Sequence, residues 1–192
     1  MTLTEAKRAL RRELRGKRLM LTPRYRLSAA NRVAIRAQSY LAPGRRIAVY
    51  HACGSELSLA PLIARALARR CRVFWPVVPA RGRVLGFVEL TLSTRWRVSR
   101  LGIVEPLGPV VPASRLQAVF MPLVGFDAAG YRLGQGGGYY DCTLSPLMRR
   151  HARPWLFGCA FACQRADAIP REAHDLPLDR VLTEQRVWRP AR

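Results

Sequence analysis

The chain has 192 residues, 49 % of them apolar, so it is long enough to bury a substantial core. Basic residues interrupt every apolar stretch before it reaches the ~20 residues of a membrane-spanning helix, which excludes a transmembrane protein. The first turns are charged throughout and lack the apolar segment of a secretory signal, so we expect a cytoplasmic protein. The five cysteines form no C-x-x-C pair, which predicts reduced thiols rather than disulfides or structural zinc.

The formal net charge of +21 has two interpretations. A positive field of that size attracts polyanions such as nucleic acid, nucleotides or polyglutamylated ligands. However, Lys7 and Lys17 are the only lysines among the 33 basic residues, and the arginines are spread along the whole chain. This dispersion favours a solvated basic surface over one selected polyanion-binding face.

The amino-terminal segment predicts two amphipathic helices. Thr2 and Glu5 have the spacing of a capping box, and the apolar residues that follow predict a helix to about Leu19. Ser28 is the predicted cap of a second helix, which ends before Pro43 and the glycine that follows it.

The rest of the chain alternates between predicted strands and helices. Residues 47–50, 59–67 and 71–75 read as strand, helix and strand, and the crossover rule makes the two strands parallel. This alternation predicts one α/β domain over residues 1–192, with three layers and a central, mostly parallel sheet flanked by helices. The remaining predicted elements are a strand at 83–90, an extended connection at 102–106, strands at 119–121, 155–161 and 180–188, and a helix at 139–150.

Residues 130–141, with the sequence GYRLGQGGGYYD, carry the clearest chemical signal. Glycines at 134 and 136–138 leave room for backbone N–H groups to converge on an anion, which favours a phosphate-binding loop over a merely tight turn. We expect Gly137 to need a positive φ. The flanking residues suit the same role, Arg132 for phosphate charge and Asp141 as an oxygen ligand for Mg²⁺. The spacing is neither Walker A nor the Rossmann fingerprint.

This segment, preceded by a buried strand and PLVGFD, resembles the signature of the 5-formyltetrahydrofolate cyclo-ligase family. Four further segments resemble the family in the same order along the chain. Gln135, Ser58-Leu59 and Cys142 depart from its usual pattern, and we expect Gln135 and Ser58 to affect substrate affinity. The four segments are Lys7-Arg8-Ala9-Leu10-Arg11, Ser55-Glu56-Leu57, Gly102-Ile103-Val104-Glu105-Pro106 and His174-Asp175-Leu176-Pro177-Leu178-Asp179.

The resemblance implies a three-layer α/β enzyme that uses ATP and Mg²⁺ to convert 5-formyltetrahydrofolate, with or without a polyglutamate tail, into 5,10-methenyltetrahydrofolate, ADP and phosphate. It implies that Lys7 and Arg132 are catalytic and that Asp141 and Asp175 hold the metal. We expect the protein to be a monomer. The implied folate contacts are His51, Glu56, Tyr139 and Tyr140. The implied ATP site comprises Lys7, Arg8, Ala9, Leu10, Arg11, Arg132, Leu133, Gly134, Gln135, Gly136, Gly137, Gly138, Tyr139 and Tyr140.

Simpler interpretations of the same residues stay open. Without the resemblance, Lys7 and Arg11 are a solvated helix face, Glu56 and His51 are loop residues, and the two aspartates are caps or surface charges. Two other classes of protein compete, a different phosphate-handling enzyme such as a sugar-phosphate isomerase, and a basic nucleic-acid-binding protein. The second lacks any recognisable nucleic-acid-binding motif and leaves the glycine loop unexplained, so nucleic acid is not expected as a partner.

Overall fold

The computed structural model describes residues 2–99, 102–172 and 175–190. None of the helices in these ranges is long and apolar enough to cross a membrane. The helices are α1 (Leu3–Leu19), α2 (Pro23–Ala37), α3 (Ala60–Ala68) and α4 (Tyr139–Leu144). The strands are β1 (Arg46–Ala48), β2 (Arg72–Val77), β3 (Gly86–Glu89), β4 (Arg95–Val98), β5 (Val104–Leu107), β6 (Val110–Val111), β7 (Ala118–Pro122), β8 (Gly125–Phe126), β9 (Arg132–Leu133), β10 (Trp155–Cys159), β11 (Arg180–Leu182) and β12 (Val187–Trp188).

The main sheet has eight strands in the order β12-β11-β10-β7-β1-β2-β3-β6. Its five central strands, from β11 to β2, are parallel, and antiparallel pairings extend it at both edges. In the middle, Ile47 lies opposite Val73 on one side and Ala118 on the other. The predicted fold class, a mostly parallel sheet flanked by helices, is confirmed.

Both faces of the sheet are covered because the central strands are apolar on each side. Phe120 and Met121 are adjacent on β7 and fully buried, yet they belong to different apolar clusters, as alternation along a strand requires. Phe120 shares its cluster with Val33 of α2 and Leu62 of α3. Met121 shares the other cluster with Leu144 of α4.

Helix α1 packs against the small β8–β9 hairpin rather than against the main sheet. Leu14 is buried in a separate apolar cluster with Leu133 of β9 and Ile169. The helix starts as predicted, since the Thr2 hydroxyl accepts from the Glu5 N–H and the Glu5 carboxylate accepts from the Thr2 N–H. This packing holds α1 beside the glycine-rich segment that follows β9.

The predicted start of α2 is wrong. The helix begins at Pro23, and Thr22 is its N-cap, with its hydroxyl accepting from the Tyr25 N–H. A proline fits the first turn of a helix because its missing N–H has no partner there, so Pro23 opens the helix instead of interrupting the chain before Ser28.

Three other expected elements differ in extent. Helix α4 stops at Leu144, and residues 145–147 continue as a 3₁₀ turn. The segment 180–188 is a hairpin of β11 and β12 rather than one strand. The predicted extended connection at 102–106 contributes β5, which pairs with β4 in a separate two-stranded sheet.

Candidate active site

Two adjoining cavities open at the carboxyl ends of the central parallel strands. The first, the glycine-loop cavity, has a volume of about 500 Å³ and lies between α1 and residues 132–141. The second, the aromatic cavity, has a volume of about 320 Å³ and lies beyond the ends of β1 and β2. Both are lined by Pro122, Gln135, Tyr139 and Tyr140, so they meet along one boundary. Ligands bind at this end of the strands in open α/β sheets.

A larger cavity of about 720 Å³ lies at the opposite end of the strands. Arg46 and Arg72, the first residues of β1 and β2, help to line it. Since none of the predicted site residues reaches that cavity, the convergence of functional groups, and not volume, defines the candidate site.

Helix α1 presents Lys7 and Arg11 to the glycine-loop cavity, as their i, i+4 spacing predicts. The Lys7 Nζ lies 2.7 Å from Glu172 and 2.8 Å from Asp175, and the Arg11 Nε donates to the Gly134 carbonyl at 2.8 Å.

The other three residues of the predicted α1 segment do not line this cavity. Arg8 and Ala9 are exposed, and Leu10 packs against the cluster around Leu14. Successive helical residues point roughly 100° apart, so only one face of α1 reaches the site. Direct ligand contacts from Arg8, Ala9 and Leu10 are therefore not supported by the geometry.

The electrostatics of this face suit an anion. Burial lowers the pKa of Lys7, but its bonds to Asp175 and Glu172 outweigh burial, so the pKa lies above its ordinary value and the amine is charged. Burial and the nearby charge of Arg15 lower the pKa of Arg11. Two guanidinium groups this close repel each other, and a phosphate group would relieve that repulsion.

Three glycines of the loop are required, for two different reasons. Gly136 and Gly138 have φ of 104° and 69°, where side chains are strained. Gly137 does not have a positive φ, so that expectation is wrong. Instead, a Cβ at Gly137 would lie 2.9 Å from the ring of Tyr139, and the site lacks room for it.

Arg132 and Asp141 form an ion pair in the wall of the glycine-loop cavity. The Arg132 Nη2 donates to the Asp141 Oδ1 at 2.7 Å, and Nη1 donates to the Leu176 carbonyl at 3.2 Å. Arg132 is buried, and Asp141 lies in the first turn of α4. The pair therefore connects α4 to β9. It also holds Arg132 in the cavity wall, where its charge can attract an anion bound by the loop.

Asp141 and Asp175 line the same cavity, which is the minimum that a shared metal ion requires. Mg²⁺ is commonly held by one or two carboxylates together with the phosphates of a nucleotide. Within residues 2–99, 102–172 and 175–190, no group of three or more potential metal-ligating side chains occurs. The two aspartates thus fit an ion that needs phosphate oxygens as its further ligands. Mg²⁺ at this position stays a prediction. His174, in the same predicted segment, lies outside the described residues.

The aromatic cavity gathers all four predicted folate contacts, His51, Glu56, Tyr139 and Tyr140. It also contains Trp75, near the end of β2, whose ring lies 5.7 Å from that of His51. Burial raises the pKa of Tyr140 well above its ordinary value, so its hydroxyl keeps its proton. The cavity therefore combines flat apolar walls with a few polar groups, as sites for aromatic ligands do.

Gln135 connects the two cavities through Glu56. Its Nε2 donates to the Glu56 Oε1 at 2.8 Å, its Oε1 accepts from Arg15 of α1, and the Cys53 N–H donates to the Glu56 Oε2 at 3.0 Å. Both oxygens of Glu56 are thus held. Gln135 departs from the family pattern, yet its side chain makes defined hydrogen bonds in this site.

Sequence reasoning missed several residues of the site. Arg15 follows Arg11 by four positions, and helical spacing could have identified it. Trp75 lies near the carboxyl end of a predicted parallel strand, which is also a usable signal. No sequence pattern pointed to Glu172 or Arg83. Only the fold brings Arg83 to the glycine loop, and there its Nη1 lies 3.4 Å from the Cβ position of Gly138.

The parallel sheet and the two cavities at its carboxyl edge are the arrangement of an α/β enzyme. The model of the 5-formyltetrahydrofolate cyclo-ligase family matches residues 3–184. The chain therefore belongs to that family, and the protein is a ligase enzyme.

Two curated relatives carry the name 5-formyltetrahydrofolate cyclo-ligase. The protein of Escherichia coli strain K12 is 34 % identical over 181 residues, which cover 91 % of this chain and 98 % of the relative. The protein of Haemophilus influenzae is 32 % identical and covers 93 % of this chain and 98 % of the relative.

Two solved structures have the same fold. The NMR structure of Aquifex aeolicus 5,10-methenyltetrahydrofolate synthetase has a TM-score of 0.74 at 28 % identity and covers 95 % of this chain and 92 % of that one. A 5,10-methenyltetrahydrofolate synthetase from Mycoplasma pneumoniae has a TM-score of 0.73 at 22 % identity, covers 93 % of this chain and 98 % of that one, and supports the fold alone.

Proposed function

We propose that the protein converts 5-formyltetrahydrofolate and ATP into 5,10-methenyltetrahydrofolate, ADP and phosphate. The observation that carries this proposal is the junction of two unlike cavities. One is lined by three cations and three carboxylates and bordered by a glycine loop, the other is aromatic, and they share Tyr139 and Tyr140. A phosphoryl donor in the first and a pterin in the second would meet at that shared boundary.

The chemistry requires such a meeting point. The oxygen of an amide-like formyl group is a poor leaving group, so the γ-phosphoryl group is first transferred to it and ADP is released. The N10 lone pair then attacks the formyl carbon, the carbon–oxygen bond breaks, and the oxygen leaves with phosphate. N10 loses its proton, and the product is the N5–CH–N10 amidinium of the methenyl ring. Catalysis rests mainly on positioning and on charge neutralisation at the transferring group.

In this proposal the cations of the glycine-loop cavity bind the ATP phosphates. Lys7 and Arg11 approach from α1, Arg132 approaches from β9, and the backbone of residues 134–138 borders the same space. Lys7 and Arg132 are the proposed catalytic residues, because a positive charge beside the transferring phosphoryl group would stabilise its transition state.

Asp141 and Asp175 are the residues that would hold Mg²⁺ against those phosphates. Carboxylate oxygens are ligands that this hard cation prefers, and both line the phosphate side of the site. The ion would supply neutralising charge for the phosphates when bound.

On the folate side, His51, Glu56 and the two tyrosines would contact the pterin and the formyl group. The two hydrogen bonds that hold Glu56 keep its carboxylate in a fixed orientation. The proposed folate substrate carries a polyglutamate tail or lacks one, and the net charge of +21 suits an anionic tail where it is present.

The test is an absorbance assay of the methenyl chromophore. We expect product only when 5-formyltetrahydrofolate, ATP and Mg²⁺ are all present, with ADP and phosphate formed in equal amounts. Product formation without ATP, or ATP hydrolysis without folate turnover, would contradict the proposed reaction. EDTA-treated protein without added Mg²⁺ is the control for the metal.

A further inference from the structure

The β4–β5 hairpin is a structural unit apart from the main sheet. Within the part of the chain that the structure describes, its two strands pair only with each other, from Arg95 opposite Leu107 to Val98 opposite Val104. Every residue of β4 is exposed. A two-stranded hairpin is marginally stable by itself, so its position must depend on side-chain contacts with the rest of the protein.

Glu105 makes the decisive contact, because it is a carboxylate that is only 1 % exposed. Its Oε1 accepts from the Val78 N–H at 2.8 Å, and its Oε2 lies 3.4 Å from Arg97 of the neighbouring strand. Val78 follows β2 directly and lines the aromatic cavity. Burying a carboxylate is unfavourable without such partners, so a displaced hairpin would leave Glu105 without these two contacts.

The hairpin contributes to the aromatic cavity from this attachment point. Ile103, just before β5, is part of the cavity wall. Trp96 of β4 packs edge-on against Trp75, with ring centroids 5.4 Å apart, and Trp75 in turn contacts His51. No described hairpin residue lines the glycine-loop cavity. The two cavities therefore differ in their dependence on the hairpin.

We propose that Glu105 is a positioning residue that fastens the β4–β5 hairpin to the end of β2 and so sets the affinity of the aromatic cavity for the pterin. The inference rests on the proposed function, since it takes the pterin to occupy this cavity. Glu105 itself touches neither proposed substrate. Its role concerns the binding of folate and not the binding of the nucleotide.

Glu105→Ala removes the acceptor for the Val78 N–H. We expect the KM for 5-formyltetrahydrofolate to rise about tenfold or more, while the KM for ATP and kcat stay within about twofold. Glu105→Gln keeps a carbonyl oxygen for the same N–H, so its folate KM should lie within about threefold of the parent value. Glu13→Ala is the matched control, because Glu13 is an exposed α1 glutamate paired only with Lys17 in the described structure.

A second variant keeps the inference testable if Glu105→Ala fails to fold. Trp96→Leu changes a ring that is 47 % exposed, so the fold should persist. We expect the same selective rise in folate KM, together with weaker binding of 5-formyltetrahydrofolate by calorimetry in the absence of ATP.

Two results would overturn the inference. One is an unchanged folate KM in Glu105→Ala or, where that variant does not fold, in Trp96→Leu. The other is a rise in the ATP KM as large as the rise in the folate KM. Failure of the proposed function has a different signature, since the unmodified protein would then form no methenyl product from MgATP and 5-formyltetrahydrofolate.

Discussion

Asp141→Asn and Asp175→Asn should both weaken Mg²⁺ binding, but only the first should clearly destabilise the fold. Both aspartates line the glycine-loop cavity, and each already neutralises one cation. Asp141 is 2.7 Å from Arg132, and Asp175 is 2.8 Å from Lys7. Because the partners differ in their remaining contacts, stability and metal dependence can be measured as separate effects.

The stability difference follows from the contacts that each cation retains, because the Lys7–Asp175 pair, with side chains 12 % and 17 % exposed, is about as buried as the Arg132–Asp141 pair. Breaking a fully buried ion pair costs about 3–5 kcal/mol. The Arg132 side chain is 5 % exposed and that of Asp141 is 23 % exposed. Since Asn retains an oxygen that can accept from Arg132, we expect a loss of about 1–2 kcal/mol for Asp141→Asn. Lys7 keeps the Glu172 carboxylate at 2.7 Å, and the Asn side chain retains an oxygen that can accept from the Glu172 N–H, so Asp175→Asn should lose less than about 1 kcal/mol. One kcal/mol corresponds to about 2–4 °C in Tm at this size.

The kinetic effects should be similar in the two variants and interdependent. Each should lower kcat/KM by at least about tenfold, roughly 1.4 kcal/mol, and each should need more Mg²⁺ to reach half of the maximal rate. If both carboxylates share one ion, the double variant loses clearly less than the sum of the single losses. The assay is methenyl formation over a Mg²⁺ titration, with Tm measured on the same samples.

Three results would refute parts of this reasoning. An unchanged Mg²⁺ requirement in Asp175→Asn would remove that residue from the metal site. Additive losses in the double variant would mean that the two aspartates act separately. A Tm of Asp141→Asn equal to that of the parent protein would show that the pair with Arg132 contributes nothing to stability.

Three further predictions concern single residues. Gly137→Val should weaken ATP binding in calorimetry while the circular dichroism spectrum stays unchanged. An unaltered ATP affinity would mean that the loop is a tight turn and does not bind phosphate. Arg11→Ala should raise the KM for ATP more than that for folate, and the opposite pattern would place Arg11 on the pterin side. Tyr25→Phe should lower stability by about 1 kcal/mol, because the buried Glu184 loses a donor at 2.7 Å. Burial and this bond raise the pKa of Tyr25 to about 12, so in urea titrations the difference should be full below about pH 10 and disappear towards pH 12.

The core of the fold could be predicted because its strands are short apolar runs separated by amphipathic helices. The parallel pairing of β1 with β2 followed from the crossover rule. The small hairpins could not be predicted in the same way. Strands of two residues such as β8, β9 and β12 show no periodicity, and their pairing depends on tertiary contacts.

The contacts of the site also fall into two groups, those that local sequence spacing predicts and those that it does not. Lys7 and Arg11 are neighbours on one helix, so local spacing was sufficient to place them together. The hydrogen bond of Gln135 to Glu56 joins residues 79 positions apart, and no local pattern encodes it. The same holds for Glu105, whose motif could be recognised but whose contact with Val78 appears only when β5 is placed against the end of β2.

The pairing of the site's charges bears on how the proposed substrates would enter. Lys7 and Arg132 are each neutralised by a carboxylate, Asp175 and Asp141 respectively, on the same side of the site. A phosphate group that binds these cations would take over the role of the carboxylates, which would then carry excess negative charge. Mg²⁺ is the partner that such carboxylates prefer beside phosphate. In the proposed reaction ATP and Mg²⁺ would therefore bind as one unit, because binding of either alone would upset the balance of partly buried charges on this side of the site.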